Sequence, residues 1–211
     1  RRRLNKSRNT LNSSNMSNPF PNKFITKLRF QAVHSLNGGI GTLGFNTFRA
    51  NSVYDPDFTG VGAQPRYFDE IMPLYDHFVV IGAKITATYI NENNESYFIA
   101  VNRNDNGITS NNINDVIEQR NATYTYLGPA TGGNNIKKLS LTYSPKRFLG
   151  RSKPLADPDL KGGVSSNPSE GMYFSVCAGA ADAVSDPTAI TCNVVIDYIV
   201  AFIEPKRIGS S

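Results

Sequence analysis

From Lys23 onward the chain alternates. Phe24, Leu28, Phe30 and Ala32 fall between Lys23, Lys27, Arg29 and Gln31, a period of two that predicts a strand with one buried and one cationic face. A glycine-rich turn (Gly38, Gly39, Gly41, Gly44) leads to a short predicted strand over residues 45–50. Residues 77–90 predict a longer one, with Val79, Ile81, Ala83 and Ile85 on one face. The same reading predicts five more strands, over residues 96–102, 123–127, 136–143, 171–178 and 190–203. Turn formers separate these runs, as in Asn104-Asp105-Asn106-Gly107 and Gly132-Gly133-Asn134-Asn135. Helix is confined to one or two turns over 68–76, with Asp69 available as a cap and Pro73 limiting the length, and to a short segment over 112–119.

Eight strands and almost no helix predict an all-β chain, an eight-stranded jelly-roll sandwich occupying residues 23–211. A lipocalin-like barrel or an immunoglobulin-type sandwich would fit the strand count nearly as well. The last strand is apolar on both faces: Ile190, Cys192, Val194, Ile196, Tyr198 and Val200 on one, Val195, Ile199, Ala201 and Ile203 on the other. Such a strand is covered on both sides, either by a neighbouring subunit or by the chain's own long loops. Residues 1–22 have no apolar period, are rich in Asn, Ser and Arg, and end at Pro19 and Pro21, which predicts a flexible arm.

Charge sharpens this division. Nine basic residues and no acidic one precede Asp55, whereas the remainder carries 13 basic and 17 acidic residues. A basic end on a mildly acidic body suggests a polyanion-binding arm. No run of about 18 apolar residues appears, so no helical membrane span is predicted.

Little of the chain points to catalysis. The two histidines, His34 and His77, lack metal-ligand spacing, and neither a phosphate-cradling glycine loop nor a nucleophile elbow is present. Cys177 and Cys192 lie in apolar strand runs and read as buried small hydrophobes, not as a disulfide framework. The glycosylation-type triplets at Asn94 and Asn121 are expected by chance in so Asn-rich a chain. No enzyme, cofactor or resident metal is therefore expected. Asp55 and Asp57 are the weak metal candidates, but two carboxylates without further acidic neighbours make a poor cation cage.

One segment carries a resemblance. Residues 48–85 read FRANSVYDPDFTGVGAQPRYFDEIMPLYDHFVVIGAKI. Asn51, Tyr54, Asp55, Pro56 and Asp57 are followed by Gly60, Gly62, Gln64 and Pro65. Then come Asp69, Tyr75 and Phe78, and finally Val80, Gly82, Ala83 and Lys84. This order and spacing resembles the capsid proteins of circular, replication-initiator-encoding single-stranded DNA viruses, the circovirus-like group. Ala63 stands where those proteins often carry a histidine, and Ser144-Pro145-Lys146-Arg147-Phe148 is a weaker echo. Physically the segment reads as a rigid connector, with Pro56 and Pro65 fixing backbone angles and Asp55 able to cap the turn.

The resemblance implies a viral jelly-roll capsid protein that assembles with itself, sixty copies in the simplest icosahedron, around circular single-stranded DNA. Arg1, Arg2, Arg3, Lys6 and Arg8 would then neutralise phosphates without reading sequence, with Lys23, Lys27 and Arg29 as second-rank candidates. The implied location is the virion, and the host nucleus during assembly, where the same basic run would serve as an import signal. Five arm charges on roughly sixty copies neutralise only about 300 phosphates, fewer than the roughly 630 nucleotides needed to encode this chain alone. A longer Arg-rich segment before Arg1 is accordingly expected. Alternatives of other kinds are an RNA-virus coat protein, a secreted jelly-roll lectin and a cellular nucleic-acid-binding protein.

Overall fold

The computed structural model describes residues 19–60, 63–107 and 110–206. Each predicted strand forms: β1 (Lys23–Leu36), β2 (Gly44–Arg49), β3 (Tyr75–Ile90), β4 (Tyr97–Asn104), β5 (Ala122–Leu127), β6 (Ile136–Tyr143), β7 (Tyr173–Ala180) and β8 (Ile190–Pro205). They build two four-stranded antiparallel sheets with the orders β1-β8-β3-β6 and β2-β7-β4-β5. First pairs with last, second with seventh, third with sixth and fourth with fifth. A long hairpin rolled up on itself gives these partners, and that is the jelly roll. A meander barrel would pair sequence neighbours throughout, so the topology separates architectures that strand count alone could not.

The core lies between the sheets. Phe30, Phe48, Ile85, Tyr89, Ile99, Phe174, Val194 and Tyr198 are all buried there. Each such side chain contributes about 1.5–3 kcal/mol through burial. Cys177 and Cys192 are buried thiols outside any disulfide, and burial pushes the Cys192 thiol up to about 12. A second apolar cluster covers the outer face of β4 and β7, where α2 (Ile113–Glu118) lays Ile113 and Val116 on Phe98 and Cys177. Asn112 caps α2 by accepting from the Asn114 amide.

The face assignment within β3 requires correction. Val79, Ile81, Ala83 and Ile85 do not share a face, because a bulge between Val80 and Gly82 shifts the register by one residue. Phe78 and Val80 therefore face the core before the bulge, and Ala83 and Ile85 after it. Val79 points the other way, into a cluster with Leu160, Ala201 and Ile203 that Ile81 also touches. That cluster resolves the two-faced β8: at one end its outer face is covered by the chain's own loop, while Ile199 remains 39% exposed.

Two smaller expectations also change. Asp69 lies inside α1 (Phe68–Ile71) and does not cap it; Tyr67 occupies the cap position without a side-chain hydrogen bond. Phe24 is 39% exposed, outside the core that holds Leu28 and Phe30, and stacks at 6.5 Å on Phe202 at the end of the sheet. Residues at the arm's end touch the domain: Phe20 packs against the core, and the Pro21 carbonyl accepts from the Tyr75 hydroxyl.

Candidate nucleic-acid interface

β1 lies at the edge of its sheet, hydrogen-bonded to β8 alone among the described strands. Its even-numbered residues Leu28 and Phe30 are buried, so strand alternation turns Lys23, Lys27 and Arg29 outward, where all three are exposed. The three second-rank candidates thus share one face. Arg1, Arg2, Arg3, Lys6 and Arg8 lie outside the described residues.

The three exposed cations differ in electrostatic state. Arg29 forks onto Asp197 of β8, with Nε donating at 2.6 Å and a terminal nitrogen at 3.1 Å. That bond and the Asp197 charge raise the Arg29 pKa above its usual value. Arg29 is therefore largely neutralised in place, whereas no ion pair with Lys23 or Lys27 occurs among the described residues.

Two further cations belong to this face. Lys84 stands in register with Asp197 on β3, so Asp197 is flanked by Arg29 on one side and Lys84 on the other. Lys138 of β6 pairs with Thr88 and is exposed. The alternation of Lys84, Thr86 and Thr88 marked a polar face in the sequence, but only the strand order places it beside β1. A hollow of about 410 Å³ opens between Lys27, Arg29, Lys84 and Ile199.

The carboxylates of Asp55 and Asp57 go elsewhere. Asp55 accepts from the Arg49 guanidinium at 2.7 Å, and the same nitrogen donates to the carbonyls of Asp55 and Asp57. Asp57, not Asp55, caps the turn, accepting from the Thr59 amide at 3.0 Å and its hydroxyl at 2.7 Å. The second Asp57 oxygen lies 3.5 Å from His34 Nε2. Asn51 holds the segment leading into β7 by donating to the Glu170 carbonyl and accepting from the Met172 amide. Apart from His34 Nε2, which is buried without a hydrogen-bond partner, these polar groups satisfy one another, so the segment that carries the family resemblance is a structural clasp. Among the described residues no group of three or more His, Cys, Asp or Glu is placed to hold a metal ion.

Sequence reasoning gave no role to Arg103. Its guanidinium is buried 3.2 Å over the Phe148 ring, donates to the Thr142 carbonyl and Asn121 side chain, and leaves Nε without a partner. Burial first, and the Arg147 charge second, lower its pKa to about 10. It stays charged at neutral pH and serves to pin α3 (Pro145–Phe148) onto β4.

No protein-family model matches the chain, and no curated protein sequence matches it. Solved structures do. A structure of mud crab tombus-like virus is similar at 12% identity over 93% of this chain and 96% of that one, with a TM-score of 0.52. Tobacco necrosis virus is similar at 10% identity over 89% of this chain and 85% of that one, with a TM-score of 0.51. At such identities the likeness concerns the fold, and the fold is the viral jelly roll.

Proposed function

We propose that this chain is a capsid structural protein that assembles with itself into a closed shell around a single-stranded nucleic-acid genome. The observation that carries the reading is the junction at β1. In sequence a basic run precedes a jelly roll of viral type, and the first strand presents Lys23, Lys27 and, across β8, Lys84 on one exposed face. Phosphate neutralisation by such a surface needs no base contacts and weakens as salt rises. The role is structural, not catalytic, and places the protein in the virion.

Two genome types follow from two observations. The order and spacing of Asn51 to Lys84 supports circular single-stranded DNA, a shell of about sixty copies and assembly in the host nucleus. The virus structures that share the fold favour an RNA genome instead.

Size-exclusion chromatography with light scattering, with absorbance at 260 and 280 nm recorded across the peak, tests the proposal. A megadalton particle carrying nucleic acid is expected. Extracted nucleic acid that DNase digests and RNase spares supports the DNA reading, and the reverse pattern the RNA reading. A monomer or small oligomer without nucleic acid, stable across salt and pH, would overturn the capsid reading.

A further inference from the structure

A second hollow, of about 530 Å³, runs along the free edge of β1. Lys27, Leu28, Arg29 and Phe30 form one wall, and Arg66 and Tyr67 belong to the other. Lys27 and Arg29 also line the hollow on the sheet's outer face, so the two depressions meet across β1. The result is a cationic track from Lys84, over the strand edge, to Arg66.

Tyr67 gives this track a second chemistry. Its ring is 68% exposed, and no ring contact is made with it among the described residues. Its backbone sits in the left-handed region at φ 72, a conformation that disfavours a bulky side chain. Glycine or asparagine would relieve that position, and the tyrosine is left mostly exposed there. An exposed aromatic at unfavourable φ, beside Lys27 and Arg66 that form no ion pair among the described residues, is the pairing that a nucleotide chain uses, base on ring and phosphate on cation. Asp69 and Glu70 follow on α1, but neither lines the groove.

We infer that the β1-edge groove is a binding site for single-stranded nucleic acid, with Tyr67 stacking a base and Lys27 and Arg66 holding the flanking phosphates. The inference rests on the packaging role proposed above and gives that role a defined site on the folded domain. Stacking on a π-face tolerates any base, so binding through Tyr67 needs no particular sequence. The groove therefore takes single strands in preference to duplex, whose bases are already stacked.

The test is fluorescence anisotropy of labelled oligo-dT and oligo-rU of about 20 nucleotides, titrated with the full chain at several salt concentrations. Tyr67→Ala is expected to weaken binding about five- to hundredfold, with Tyr67→Phe retaining it. Arg66→Gln is expected to reduce the slope of log affinity against log salt by about 0.7, the effect of one lost phosphate contact on a single strand. Circular dichroism checks that each variant keeps its sheets. Unchanged affinity in Tyr67→Ala overturns the site. If a chain with Arg1, Arg2, Arg3, Lys6 and Arg8 changed to Gln then loses binding, packaging stands and resides in the first residues alone. Absence of salt-dependent binding by the parent chain would remove the packaging role and the groove together.

Discussion

The clasp from Arg49 to Asp57 and the outer face of β1 are both rich in polar residues, yet they are built on opposite principles. In the clasp, donors and acceptors meet: Arg49 serves Asp55 and two carbonyls, Asp57 serves Thr59, and Asn51 bridges to Glu170 and Met172. On β1 Arg29 is matched by Asp197 and Gln31 by Asn193, while Lys23 and Lys27 form no ion pair among the described residues. A buried polar group without a partner costs more than its bond is worth, so the clasp must be internally complete. An exposed lysine carries no such cost and keeps its charge for an external anion. Satisfied polar groups hold the fold, and under the packaging role proposed above the unpaired cations are where phosphate would be met.

Breaking the clasp should therefore cost stability, whereas breaking the face should cost binding. Arg49→Ala has the largest expected effect, a loss of about 3 kcal/mol, because it strands the Asp55 carboxylate and two carbonyls in a mostly buried turn. Chemical denaturation measures it. Adding Asp55→Ala should restore part of the loss, and a cycle without coupling would show that the pair does not act as one unit. Asn51→Ala ranks next, at about 2 kcal/mol, since it removes one donor and one acceptor from a residue only 3% exposed. Neither variant should alter the salt dependence of nucleic-acid binding.

The same contrast explains what the sequence disclosed. Period-two alternation is a local signal, so the eight strands and the outward set Lys23, Lys27 and Arg29 were legible from neighbouring residues. Partnerships across the chain were not. Arg29 and Asp197 are 168 residues apart, and Asn51 and Glu170 are 119 apart. The motif around Asp55 was visible as a pattern, but its role as a clasp depends on Arg49 just before it and on a segment far downstream. The bulge at Gly82 was hidden for a different reason: an extra residue leaves the composition of β3 unchanged while reversing its faces.

Asp197→Asn sharpens the comparison at the level of a single charge. It should leave stability almost unchanged, because the ion pair is exposed at both ends, at 69% and 43%. Its expected effect is on binding. Freeing Arg29 and unmasking Lys84 should tighten binding to single strands and steepen the log–log salt slope by about 0.7 for each phosphate newly contacted. An unchanged slope would mean that nucleic acid does not reach this face of the sheet.

The smallest effect belongs to a site that joins the two principles, at the end of β8. Glu204 accepts from Lys161 at 2.6 Å and from His77 at 2.6 Å, and these bonds, Lys161 first, hold its carboxyl below the usual carboxylate range. A carboxylate with a lowered folded-state pKa contributes stability above its unfolded value and loses it as pH falls through the folded one. The contribution should be complete at neutral pH and vanish below the ordinary carboxylate range. Since Glu204 is nearly half exposed, solvent screening limits it to about 0.5 kcal/mol. Thermal unfolding of the parent and Glu204→Gln should therefore differ slightly at pH 7 and converge as acid is added. A gap that persists at pH 3 would place the stabilisation in packing of the loop around Lys161 and not in charge.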